Sequence, residues 1–69
     1  MKISARNFFK GKVRRIVSGA VNCEVTIELP DGIEITSIIT KNSVKRLGLK
    51  KGKPAYALIK ASSVLVAVD

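Results

Sequence analysis

The chain has 69 residues, with thirteen Lys and Arg against five Asp and Glu, a formal net charge of +8 and a pI near 10.2. A chain this short buries only about 60% of the surface its unfolded form exposes, so it needs a disulfide, a metal or further copies of itself to gain margin. Cys23 is the only cysteine and histidine is absent, which excludes an internal disulfide, argues against a zinc site and leaves self-association as the expected staple.

In chain order, ISARNF (3–8) alternates as an extended N-terminal arm, with Ser4 and Arg6 on one face and Ile3 and Ala5 on the other. KVRRIVS (12–18) is β-prone, and Gly19 marks a turn. AVNCEVTIEL (20–29) predicts a second strand. Its apolar face is Val21, Cys23, Val25, Ile27 and Leu29; its polar face is Asn22, Glu24, Thr26 and Glu28. Pro30-Asp31-Gly32 is a turn, because Pro presets φ and Gly supplies φ > 0. IEITSIIT (33–40) is the return strand of that hairpin. Thr40 caps a short helix with Lys41, Asn42 and Ser43 in its first turn, and Gly48 ends it. PAYALIK (54–60) is a fourth strand with Pro54 at its tolerated first position. VLVAVD (64–69) is a fifth.

Five strands with a short helix between the third and fourth predict an all-β, OB-like barrel over residues 1–69 as one domain. A flat five-stranded sheet with one helix is the alternative. Closure is preferred because it removes exposed edges. The N-terminus lacks the apolar run of a secretory leader, and no stretch approaches the roughly 20 residues of a membrane span. The expected setting is soluble and cytoplasmic.

Three stretches carry hydrogen-bond donors and no acid: Ser4-Ala5-Arg6, Thr40-Lys41-Asn42-Ser43 and Lys60-Ala61-Ser62-Ser63. Each stands at a strand end or helix start. Singly they read as ordinary residues: Thr40 and Ser43 as a helix cap, Arg6 and Lys60 as solvated charges, KRLGLKKGK as a basic surface run. Brought together, a guanidinium fork, an ammonium, hydroxyls and amides suit an acceptor-rich anion. Enzyme chemistry is not expected, since there is no histidine, no well-spaced acid pair and no phosphate-binding glycine loop. A basic OB-like barrel also invites nucleic acid. Single-strand binders of that fold use aromatic stacking platforms, however, and Phe8, Phe9 and Tyr56 are the only aromatics.

Together, ISARNFFKGKV, ITSIITKNSVKRLGL and LIKASSVLV resemble the molbindin (Mop) family of small molybdate-binding, TOBE-type domains, in order from Ser4 to Val66. The Ser-Ala-Arg-Asn element is the most telling. The resemblance implies an OB-like barrel and a homo-oligomer, commonly a hexamer built as a trimer of dimers. It implies molybdate or tungstate held at subunit interfaces through its oxygens, with no direct protein ligand to the metal. The implied contacts are Ser4, the Ala5 backbone, Arg6, Thr40, Ser43 and Lys60, with Ser62 a weaker candidate. The implied role is storage or buffering of molybdate. Phe8 stands where the family has Gln or another polar residue.

Overall fold

A single twelve-residue strand organises the molecule. In the computed structural model, which describes residues 1–69, β1 (Asn7–Ser18) serves two neighbours in succession. Its second half, from Lys12 to Ser18, pairs antiparallel with β2 (Asn22–Glu28). β2 pairs with β3 (Glu34–Thr40), setting Asn22 opposite Thr40 and Glu28 opposite Glu34. The first half of β1, from Asn7 to Lys12, pairs antiparallel with β4 (Pro54–Ile59). The sheet order is therefore β3-β2-β1-β4, with free edges at β3 and β4.

A bulge lets β1 feed one core. Val13 faces Ile27, Arg15 faces Thr26 and Ile16 faces Val25, so Arg14 is the extra residue. Val13 and Ile16, three apart, consequently both turn inward, which strict alternation forbids. The core is Val13, Cys23, Val25, Ile27, Leu29 and Ala57, with Ile16, Ile35, Ile39 and Val44 packed against it. On the opposite face, Arg14 and Arg15 bind the Glu34 carboxylate at 2.8 and 3.0 Å, tying β1 to β3 across β2. Thr26 lies between Arg15 and Thr36 and is buried, although alternation assigns it to a polar outer face.

The helix α1 (Lys41–Leu47) follows β3 directly. Thr40 Oγ1 accepts from the Ser43 amide at 3.0 Å, and Gly48 closes the helix at φ 64°. Lys45 and Arg46 occupy its last turn, where cations complement the helix dipole. No helix is long and apolar enough to cross a membrane.

Two differences from the expected layout have physical causes. β1 begins at Asn7 rather than Lys12, because β4 offers a ladder from Asn7↔Ile59 onward. Residues 3–6 form no strand, as expected of an N-terminal arm, because β4 ends at Ile59 and nothing lies opposite them. The expected fifth strand is not formed: the 3₁₀ turn Ala61–Ser63 intervenes, and residues 64–69 pair with no strand of their own chain. Alternation supplies a strand's faces but not its partner. The observed architecture is thus a curled four-stranded sheet with one short helix, an OB-like all-β form left open between its edges.

Candidate functional site

Arg6 owes its place to Asn7. The main chain pairs Asn7 with Ile59, and Asn7 Nδ2 also donates to the Ile59 carbonyl at 3.4 Å. The residue before Asn7 and the residue after Ile59 therefore leave the sheet side by side. These are Arg6 and Lys60. The 3₁₀ turn that follows brings Ala61 and Ser62 around to the same place.

The result is an open cleft of about 610 Å³ lined by Ser4, Ala5, Arg6, Leu58, Lys60, Ala61 and Ser62. Five of the seven residues predicted from sequence meet here: Ser4, Ala5, Arg6, Lys60 and Ser62. Every polar side chain in the lining can donate, and none is an acid. Arg6 and Lys60 form no ion pair within the chain. A guest anion would meet no competing carboxylate.

Thr40 and Ser43 are not brought to this cleft. They lie on β3 and α1, at the opposite edge of the sheet from β4. Thr40 faces Asn22, beside the Ser18 end of β1, whereas Arg6 precedes the Asn7 end. A twelve-residue strand spans up to roughly 36 Å, so one chain cannot close both groups on one small anion. The Thr40 hydroxyl is engaged locally, donating to Ser43 Oγ at 2.9 Å.

A larger hollow, about 710 Å³, is lined by Lys10, Lys12, Glu28, Pro30 and Gly32 among others. Its chemistry is mixed. Glu28 contributes a carboxylate, held 3.6 Å from Arg14, which would repel a dianion. The donor-only cleft is the better anion site despite its smaller size.

Sequence reasoning missed three contributors. Leu58 and Ala61 line the cleft, and Asn7 aligns its two cations. Asn7 lies inside the Ser-Ala-Arg-Asn element, and Leu58 sits two positions before Lys60. Those spacings were the available signal. Leu58 also continues onto an exposed apolar face: Phe8 pairs with Leu58 and Lys10 with Tyr56, and Phe8, Leu58 and Tyr56 are 50%, 47% and 44% exposed. No group of three His, Cys, Asp or Glu is placed to hold a bare metal ion.

The TOBE domain family matches residues 3–66. The chain is 51% identical over 69 residues to a probable molybdenum-pterin-binding protein of Haemophilus influenzae, and each sequence is covered in full. Among solved structures, MopII from Clostridium pasteurianum matches with a TM-score of 0.92 at 43% identity, over 97% of this chain and all of that one. The cytoplasmic molybdate-binding protein ModG, solved with molybdate bound, matches with a TM-score of 0.90 at 54% identity. That match covers 94% of this chain and 46% of ModG.

Proposed function

The chain belongs to the TOBE domain family, and from that premise we propose that it binds molybdate in the Arg6–Lys60 cleft and stores or buffers it in the cytoplasm. The observation that carries this reading is the cleft itself: two cations, two serine hydroxyls and no carboxylate around one opening. Molybdate offers four acceptor oxygens and two negative charges. Arg6 supplies a planar fork for two of those oxygens, and Lys60 supplies a compact point charge. Ser4, Ser62 and the Ala5 amide complete the donor set on this chain. The metal stays inside its oxo shell, so no imidazole or thiolate is required and no bond is made or broken.

Thr40 and Ser43 enter through a second copy. The proposed complete site sets Arg6 and Lys60 of one chain against the α1 cap of another. The proposed assembly is a homo-oligomer, in the hexameric trimer-of-dimers form that the resemblance implies, with each domain spanning residues 1–69. Exposed Phe8, Tyr56 and Leu58, adjoining the cleft, support an interface there. Bound dianions offset part of the self-repulsion of chains that each carry +8. Tungstate, nearly the same size, binds alike. Sulfate is smaller and loses contacts in a cage fitted to longer metal–oxygen bonds.

Thermal melting tests this. Molybdate at a hundredfold excess over its Kd raises stability by about 2.7 kcal/mol per site. For a chain of this size that lifts Tm by roughly 10–20 °C. Tungstate gives the same shift and equimolar sulfate a much smaller one. A melting curve indifferent to millimolar molybdate contradicts the reading.

A further inference from the structure

No acid occurs between Glu34 and Asp69, and five cations of that interval crowd into nine residues: Lys45, Arg46, Lys50, Lys51 and Lys53. All five are exposed. None of their side chains forms a hydrogen bond or ion pair within the chain, since every ion pair uses Arg14 or Arg15. The binding cleft described above uses none of them.

The fold gathers these cations and holds them still. Val44 and Leu49 pack against the core and seat the segment on it. The Lys53 amide donates to the Lys50 carbonyl at 3.0 Å, which closes a turn. That turn is pinned to β1 in both directions. The Gly52 amide donates to the Val13 carbonyl at 2.8 Å, and the Val13 amide to the Lys53 carbonyl at 2.9 Å. The Lys53 ammonium folds back to within 3.8 Å of where a Cβ on Gly48 would stand, so it joins Lys45 and Arg46 at the end of α1. The sheet's acids are sorted to the other side. Glu24 and Glu28 alternate with the buried Cys23, Val25 and Ile27, and Glu34 is held by Arg14 and Arg15 on that outer face.

Leu47 stands within this group and is 61% exposed. An uncovered leucine ringed by cations decides among polyanions. A phosphate backbone has nothing apolar to set against it, and residues 45–53 contain no aromatic to stack on a base. A seven-residue helix with one exposed leucine is little for a bilayer to take up, and a fluid surface gains nothing from cations fixed by backbone hydrogen bonds. A protein interface has this anatomy, with an apolar anchor at its centre and polar groups at its rim.

We propose that Lys45, Arg46, Lys50, Lys51 and Lys53, around Leu47, form a docking surface for a partner protein that presents clustered carboxylates about an apolar centre. The surface lies at the C-terminal end of α1, roughly 10 Å along the helix from the Thr40 cap. Partner and anion therefore bind without competing.

Fluorescence anisotropy of labelled probes with the full chain, at low salt and without molybdate, tests it. The probes are a glutamate-rich peptide with a phenylalanine-leucine centre, the same peptide with serines in that centre, and an oligothymidylate of equal charge. Cosedimentation with phosphatidylserine–phosphatidylcholine vesicles is the fourth arm. The apolar-centred peptide is expected to bind about tenfold more tightly than the serine-centred one, and Leu47→Ser to abolish that difference. Lys50→Glu combined with Lys51→Glu is expected to lower its affinity about 100-fold. Amide chemical-shift changes are expected at residues 45–53, and both variants are expected to titrate molybdate as the parent does. Failure of the peptide to bind, equal affinity for the two peptides, indifference to either variant, or shifts centred on Arg6 and Lys60 would overturn the proposal. Tighter binding of the oligothymidylate or the vesicles would also overturn it, and would assign the surface to nucleic acid or to membrane.

Discussion

Replacing Arg6 with alanine lowers molybdate affinity by about 100-fold, equivalent to about 2.7 kcal/mol, in isothermal titration of the purified protein. Arg6 is exposed and forms no hydrogen bond or ion pair within its own chain. Its removal therefore leaves the fold intact, and the anion-free melting temperature stays within a degree or two of the parent. The expected loss is large because the guanidinium supplies two parallel charge-assisted hydrogen bonds, and without it Lys60 is the only cation left in the lining. Arg6→Lys separates charge from geometry. It retains the charge and loses the fork, so its affinity falls by only about tenfold. Equal binding by Arg6→Ala and the parent protein would remove this residue from the site.

Gly11→Ala has the largest expected effect on stability, a loss of about 3 kcal/mol, read from the urea midpoint. Gly11 is buried on β1 at the point where the strand passes from β4 to β2. A Cβ there would overlap the Glu28 carbonyl oxygen and would stand 2.9 Å from Ile27 Cγ2. The first obstacle is backbone and cannot rotate away. A domain of this length has only about 3–10 kcal/mol of stability in total, so the variant is expected to be partly unfolded at 37 °C. A change below about 0.5 kcal/mol would mean that β2 does not cross so closely over β1.

These two residues illustrate what the sequence made legible. β2, β3 and α1 were readable because each carries its own local signal: alternation from Val21 to Leu29, the Pro-Asp-Gly turn, and Thr40 and Gly48 as caps. The donor residues were readable as types. What could not be read was which neighbour each segment meets. NFFKG does not alternate, so the first half of β1 became visible only as the partner of β4. The bulge at Arg14 shifts Ile16 inward, which no periodicity announces. Thr26 looked solvent-facing until the strands beside it covered it. Val64–Val68 is an unbroken run of β-prone apolar residues, yet it forms no strand, because strand identity is settled by an edge that this chain does not present to its own tail. The candidate site divides in the same way. Arg6 and Lys60 converge because Asn7 and Ile59 pair, a local consequence of one ladder. Thr40 and Ser43 belong to the opposite edge, and a linear sequence cannot show that two donor clusters lie on different sides of a sheet.

That separation is also what makes the central claim testable by complementation. Two defective chains are prepared, one with Arg6→Ala and one with Thr40→Ala and Ser43→Ala together, and each alone is expected to bind molybdate weakly. Unfolded together in equal amounts and refolded, they assemble at random, and about a quarter of the sites then combine an intact Arg6 with an intact cap from a different chain. Titration of the mixture should recover tight binding in about that fraction of sites. A mixture that binds no better than its two components would contradict a site shared between copies.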